Sequence, residues 1–338
     1  MDFLVRQWVI KRTDFNMRPF TLGIDTSCYT TSIAVVDEND VLISENRMML
    51  EVKKGARGLR QSEGFFQHVI NLPILFEEMC KDVDVSKIGC IAVSTRPRNQ
   101  EDSYMPVFTA GEKFARTLSL ALNIPVFTTT HQDGHLMASA KAVSFDHTKP
   151  HVSVHLSGGT SEILRTHWAS NGFDVEVIGG ALDLSAGQLI DRVGVAMGID
   201  FPCGQAMDQM LYDSKKNLYF PVSVKESWFN LCGSETYGLN YIENNESRSD
   251  ISKGLFNVLS KTITLCLEDA CGKTGINEVL MAGGVSSSKY LRSDLKKRLA
   301  KKNIKAYFTT AKYAADNAIG VAWLGALSRS DRGGNHEA

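Results

Sequence analysis

The sequence has no Cys-x-x-Cys pair: its seven cysteines (Cys28, Cys80, Cys90, Cys203, Cys232, Cys266, Cys271) are odd in number and scattered. That pattern argues against a disulfide framework or a zinc ribbon and favours reduced thiols in a cytoplasmic setting. No apolar run approaches the roughly 18 residues that a membrane span requires. Net charge is absent too: 37 Lys and Arg against 38 Asp and Glu leave −1. No global basic field therefore recruits nucleic acid, and an RNA partner must meet a local patch. The first sixteen residues lack the long apolar core of a secretory signal and are not acid-poor as a transit peptide is. They read as an extension (residues 1–17) before a fold that begins near Arg18, with Met17 as an alternative start.

What the chain does have is length and ordinary globular composition. Its 338 residues, 43% hydrophobic and 22% charged, suit one large domain or two lobes of about 150 residues each. Strand-like runs at Phe20 to Asp25, Ser32 to Asp37 and Val41 to Arg47 predict a three-strand meander. The turn Thr26-Ser27-Cys28-Tyr29-Thr30-Thr31 offers hydroxyl groups that suit a phosphate or simply a hairpin. Lys53 to Arg60 reads as a mobile basic loop. Apolar residues at helical spacing from Gln61 to Val83 predict a helix, with Pro73 kinking or dividing it and His68 facing solvent or an interface. A strand at Ile88 to Ser94, a helix at Pro106 to Leu122 and a strand at Pro125 to Thr129 complete the first half.

After Lys149-Pro150 the pattern restarts. Strands at Val152 to Leu156, Glu162 to His167 and Phe173 to Ile178 form a second meander. Helical stretches follow at Gln188 to Met197, Lys225 to Phe229 and Ile251 to Lys273. A strand at Glu278 to Ala282, a basic helix at Ser288 to Lys301, a strand at Lys305 to Thr309 and an Ala/Gly-rich helix at Ala314 to Leu327 close the chain. The repetition predicts a duplicated two-lobe α/β fold, 18–148 and 149–330 with a polar tail at 331–338, and a ligand cleft between the lobes. The basic residues Lys289, Arg292, Lys296, Lys297, Arg298, Lys301 and Lys302 suit a tRNA patch, although a solvated helix face is the simpler reading.

Three turns suit a nucleotide. Ser157-Gly158-Gly159-Thr160-Ser161 joins two strands, and paired glycines let the backbone approach a ligand or make a tight hairpin. Gly283-Gly284 followed by serines aims a helix N-terminus at an anion, or leaves Ser287 or Ser288 as a plain cap. Asp183 to Gln188, with Asp191-Arg192 and Pro202-Cys203-Gly204, offers carboxylates for hydroxyl groups.

The segment Thr130-His131-Gln132-Asp133-Gly134-His135-Leu136 places two imidazoles four apart. On a helix they share one face and can hold one cation; they can equally be surface or capping residues. Two histidines leave a divalent ion under-coordinated, so a further ligand, a carboxylate by preference, must come from elsewhere. The zinc-protease helix has Glu directly after its first His; Gln132 cannot take a proton, which argues against that chemistry.

Taken in order, Leu22 to Thr31, His131 to His135, Leu156 to Thr160, Leu182 to Arg192, Pro202 to Gly204, Ala282 to Arg292 and Asp316-Asn317-Ala318 resemble the TsaD/Kae1/Qri7 family, once labelled O-sialoglycoprotein endopeptidase. The resemblance runs from Phe20 to about Leu327. It implies an actin/Hsp70-like (ASKHA) fold and transfer of threonylcarbamoyl from threonylcarbamoyl-adenylate to N6 of adenosine 37 in tRNA. It further implies one divalent metal (Fe, Zn or Mn) on His131, His135 and Asp316, with no catalytic residue assigned beyond them. An adenylate-type substrate, or ATP or ADP, would meet His155, Leu156, Ser157, Gly158, Gly159, Asp191, Gly204, Asp208, Gly283, Gly284 and Ser288. Partners implied are tRNA, TsaB/TsaE- or Bud32-like proteins, or a second copy in a homodimer, with no membrane. The resemblance implies a divergent paralogue: Tyr29-Thr30 stands where the family has Asp-Glu, Gln188 where it has Glu, and Ser288 where it has Asn. These departures motivate two alternatives, carbamoyl or acyl transfer to a small molecule and a non-catalytic nucleotide-binding partner of a true TsaD.

Overall fold

The computed structural model describes residues 18–27, 29–52, 59–100, 103–169 and 172–334. The amino-terminal extension, Cys28, most of the basic loop (53–58) and the end of the tail lie outside them. The first half comprises β1 (Phe20–Thr26), β2 (Thr30–Val36), β3 (Leu42–Met49), α1 (Gln61–Asp82), β4 (Ile88–Arg96), α2 (Phe108–Leu122), β5 (Val126–Thr130) and α3 (His131–Ala142). The second half begins with β6 (His151–Leu156), β7 (Ser161–Ala169), β8 (Gly172–Ala181), α4 (Ala186–Ala196), α5 (Gly204–Met210), β9 (Ser223–Lys225) and β10 (Trp228–Asn230). It ends with α6 (Cys232–Glu243), α7 (Arg248–Thr274), β11 (Glu278–Ala282), α8 (Lys289–Ala300), β12 (Lys305–Phe308), α9 (Ala311–Ala314) and α10 (Ile319–Gly334).

The duplication is visible in the strand order. One sheet runs β3-β2-β1-β4-β5, and the other runs β12-β11-β6-β7-β8 with β10 and β9 added beyond β8. In each, the meander is antiparallel; one later strand joins its first strand in parallel, and the next later strand joins that one in parallel. Parallel neighbours need crossover helices, so each sheet acquires helices on both faces. β2 is accordingly buried along its whole length. Its alternate residues serve different cores: Ile33 and Val35 pack with α1 and α2, whereas Ala34 and Val36 pack with α3 and α10. A third, larger cluster fills the second lobe around α4, α7 and α8.

The last helix returns to pack on the first sheet and on α3. Glycines permit the approach. A Cβ on Gly320 would lie 1.8 Å from the Gly134 carbonyl oxygen, and one on Gly23 would lie 2.6 Å from the Ala318 oxygen. The small-residue composition of α10 is therefore a packing requirement, and it brings the segment before α10 to the start of α3.

Three expectations are corrected. α1 is not divided at Pro73; it continues from Gln61 to Asp82. Pro73 sits on its exposed face, where the Val69 carbonyl it leaves unpaired can meet water. His68 is not on the solvent side but fully buried. One ring nitrogen lies 2.8 Å from Thr31 Oγ1 and the other 2.8 Å from the Ser27 carbonyl, so it holds the β1–β2 turn from behind. Burial lowers its pKa, which keeps it neutral. The segment Lys225 to Phe229 is a hairpin rather than a helix, pairing β10 onto β8 at Trp228 and Gly180. Five residues are too few to separate the two periodicities, and the open edge of β8 decides the outcome. The helices α5 and α6 were not anticipated.

Replacing Gly320 by Ala destabilises the protein by about 1–3 kcal/mol, because backbone cannot yield at the crossing. The matched control Gly272→Ala, in α7 with open space around it, is neutral or stabilising by up to about 1 kcal/mol. Urea denaturation of the two variants checks both.

Candidate metal centre

β5 runs into α3 without a loop. Thr130 ends the strand and caps the helix, its side chain accepting from the Asp133 N–H at 3.0 Å. His131 is thus the first residue of α3 and His135 lies one turn on. The third member arrives from the far end of the chain. Asp316 occupies the turn between α9 and α10, which Asn317 shapes by accepting from the Ile319 N–H at 3.0 Å and donating to the Ala315 carbonyl at 2.6 Å. The Nε2 atoms of the two histidines are 3.0 Å apart, and Asp316 Oδ1 lies 3.2 Å from His135 Nε2 and 3.6 Å from His131 Nε2.

These separations suit a metal. Ligands about 2.0–2.1 Å from a tetrahedral ion stand roughly 3.3 Å from one another. Two imidazole nitrogens facing each other at hydrogen-bond distance need a proton or a cation between them. The outer partners set the tautomer. His131 Nδ1 lies 3.0 Å from Asp25 Oδ1, so its N–H donates there and Nε2 keeps its lone pair for the cluster. Asp25 is fully buried at the end of β1 and is also bonded by Ser94 Oγ from β4. Ser27 Oγ donates to Asp316 Oδ2 at 3.1 Å. Asp25 and Ser94 are not singled out from the sequence, where the acid closing a buried strand is the available signal; Ser27 is, as part of a hydroxyl turn suited to a phosphate or a hairpin. Asp133, between the two histidines, turns away toward Thr129, and burial pushes its carboxyl up to about 6.

Charge is coupled across the cluster. Burial works to lower the His131 pKa, but the carboxylates of Asp25 and Asp316 outweigh it and raise it well above the ordinary value. Burial likewise works to raise Asp316, yet its hydrogen bonds to His131 and His135 hold it well below the carboxylate range. His155, whose ring centroid is 5.2 Å from that of His135, is held well below its ordinary pKa, chiefly by burial and then by the neighbouring imidazoles. Its Nε2 is buried and has no partner among the described residues.

The remaining sequence candidates fall into two groups, and a third set joins them. Gly158, Gly159, Gly204 and Gly284 have open space where a Cβ would stand. Ser157 Oγ accepts from the N–H groups of Gly159 and Thr160, which shapes the glycine turn. Gly283 has φ +85° and faces the Leu156 carbonyl at 2.3 Å from a notional Cβ, so only glycine fits beside His155. A second group is structural in its contacts. Leu156 is core; Asp191 accepts from the Cys203 N–H at 2.8 Å. Ser288 caps α8 by accepting from the Leu291 N–H, and Asp208 accepts from Ser288 Oγ and from the N–H groups of Lys289 and Tyr290. A third group was not foreseen: Arg98, Gln132 and Glu162 join the lobes beside the cluster.

Two duplicated α/β lobes with a His-His-Asp cluster at their junction define the class: an actin/Hsp70-like fold whose cluster could hold a metal ion. HypF from T. kodakarensis shares the fold with a TM-score of 0.61 at 14% identity, over 92% of this chain and 48% of that one. Component A of the (R)-2-hydroxyglutaryl-CoA dehydratase of Acidaminococcus fermentans gives 0.56 at 12% identity, over 93% of this chain and 99% of that one. The family model described as TsaD, tRNA N6-adenosine threonylcarbamoyltransferase, matches residues 62–323, and the chain belongs to that family. A tRNA N6-adenosine threonylcarbamoyltransferase of Mycoplasmopsis synoviae is 31% identical over 310 residues, 89% of this chain and 95% of the relative. One from Thermosipho africanus is 27% identical over 315 residues, 90% and 92% of the two chains.

Protons and metal compete for the same lone pairs. Because the carboxylates raise His131, affinity for a divalent ion falls as pH drops through neutrality. Asp25→Asn removes one raising carboxylate, so the fall moves to lower pH, while the affinity at high pH weakens by about 10–100-fold through lost orientation. Zn and Mn titrations across pH 6 to 9 (a range of about three units, spanning the ordinary imidazole value) measure both effects.

Proposed function

We propose that this chain transfers a threonylcarbamoyl group from threonylcarbamoyl-adenylate to N6 of adenosine 37 in tRNA. The carrying observation is the convergence of His131, His135 and Asp316 on one point beside the open glycine turn of the second lobe, in a chain that belongs to the TsaD family. A divalent ion (Fe, Zn or Mn) held by those three residues supplies Lewis-acid polarisation of the carbamoyl carbonyl or the threonyl carboxylate.

The chain's own groups do the rest. Asp25 and Ser94 hold the His131 ring in one tautomer, and Ser27 orients Asp316. Gly158 presents its backbone N–H to the adenylate phosphate, with Gly159 leaving the space open, Ser157 shaping the turn and Leu156 anchoring it. His155 lines the donor pocket as a neutral ring. Gly204, Gly283 and Gly284 let the chain approach the nucleoside closely. Asp191, Asp208 and Ser288 act indirectly, by fixing the α4–α5 loop and the first turn of α8. In the transfer, the adenine amine forms an N–C bond to the carbamoyl carbon, the C–O bond to phosphate breaks, AMP leaves and N6 loses a proton. The acceptor tRNA, TsaB/TsaE- or Bud32-like partner proteins and a homodimer belong to the same reading. No described helix is long and apolar enough to cross a membrane.

Incubation with threonylcarbamoyl-adenylate, metal, partner proteins and unmodified tRNA yields threonylcarbamoyladenosine, detected by nucleoside mass spectrometry. His131→Ala keeps the fold, loses retained metal and lowers turnover on the order of a hundredfold or more. Unmodified adenosine in the complete wild-type mixture overturns the assignment.

A further inference from the structure

β6 and β7 place His155 directly opposite Glu162, so both side chains stand on the same face of the second sheet, toward α3. His155 meets the metal cluster through His135. Glu162 is held by two residues of the first lobe. Arg98, from the loop after β4, donates through Nη1 to Glu162 Oε1, and Gln132, between the two histidines, donates to Oε2 at 3.3 Å. The loop is pinned to α3 by the Gln132 N–H donating to the Pro97 carbonyl at 3.0 Å. Arg98 is therefore a first-lobe guanidinium delivered to the second-lobe wall, three residues along the chain from Gly159.

Among the described residues, Arg98 Nε and His155 Nε2 are buried here without a partner, as are Asp25 Oδ2 and His135 Nδ1 in the adjoining cluster. His155 is 7% exposed, so water does not easily satisfy it, and buried groups of this kind in a folded protein call for a ligand or a bound solvent molecule. Arg98 is the guanidinium whose charge is felt at His155. The surrounding carboxylates, Asp25, Asp316 and Glu162, leave an entering anion little else to pair with except a metal. Glu162 occupies Nη1 and leaves the other edge of the fork unused, which is the geometry a carboxylate or phosphate accepts in a bidentate pair.

Resting on the donor reading above, we propose that Arg98 is a specificity residue that binds an anionic oxygen pair of the donor in a subsite framed by Arg98, His155 and the Gly158-Gly159 turn. The donor offers two such groups, its phosphate and its threonyl carboxylate. Glu162 and Gln132 are positioning residues: they orient the guanidinium and close the lobes around it.

The test is calorimetric binding to the full-length protein of three probes: AMP, adenosine and N-carbamoyl-L-threonine. Arg98→Gln weakens either AMP or N-carbamoylthreonine by roughly tenfold to a hundredfold, and the probe affected identifies the phosphate or the carboxylate. Adenosine binding and the melting temperature stay unchanged. Arg98→Lys, retaining charge without the fork, restores part of the loss. Glu162→Gln removes the charge of the interlobe pair but keeps an amide oxygen that Arg98 can donate to, so the guanidinium stays oriented and the anion preference is kept. The proposal is overturned if Arg98→Gln weakens adenosine as much as the anions, if it weakens neither anion, or if Glu162→Gln abolishes the preference equally. Wild-type protein that binds none of the three probes refutes the donor reading itself, a different failure from loss of anion preference.

Discussion

The rest of the molecule depends on one close crossing. Gly320 on α10 passes so near the Gly134 carbonyl on α3 that no side chain fits between them. Gly134 lies between His131 and His135, and Gly320 lies four residues after Asp316. The crossing therefore sets how far a carboxylate from the end of the chain stands from two imidazoles in its first half. Interiors pack densely and yield little, so a methyl group at this point displaces an element rather than a side chain. The same crossing carries the carboxy-terminal helix onto the first sheet, where Gly23 leaves room for the Ala318 carbonyl.

Around that crossing the polar groups are arranged in layers. Buried β1 and β4 supply Asp25 and Ser94 behind His131, and the β1–β2 turn supplies Ser27 beside Asp316. His68 supports that turn from α1 through the Ser27 carbonyl. A buried carboxylate is costly without partners, and Asp25 has two donors on one oxygen. Among the described residues, unpartnered buried atoms stand on both sides of the cleft: Asp25 Oδ2 and His135 Nδ1 on one, Arg98 Nε and His155 Nε2 on the other. Both sides therefore retain bonding capacity for what enters.

Legibility differed from element to element for physical reasons. The two meanders were readable because alternating apolar runs separated by polar turns are a local property. The strands of the parallel pairs and the long helices α1, α7 and α8 were readable for the same reason. Pro73 does not divide α1, because the cost of proline in a helix depends on whether the freed carbonyl reaches water, which is a matter of which face it occupies. His68 misled because burial is a tertiary property. The hairpin β9–β10 exists because β8 had an edge to offer. At the site, the paired histidines declared themselves by spacing, and Asp316 entered through the resemblance. Arg98 and Glu162 carried no motif of their own; they meet only because the two lobes do. Ser288 turned out to cap a helix, with Asp208 beneath it, which is what a serine before an amphipathic helix does by default.

The sequence by itself determined the duplicated plan, the division into two α/β halves, the imidazole pair one helical turn apart and the glycine turns with room for a ligand. Each follows from periodicity, from backbone freedom or from side-chain chemistry within a few residues. Only the tertiary structure decided which residues face one another across 100 or more positions: Asp25 with His131 at a separation of 106 and His135 with Asp316 at 181. Such pairings have no local signature, because they are set by how helices and sheets pack, and packing is a property of the whole chain.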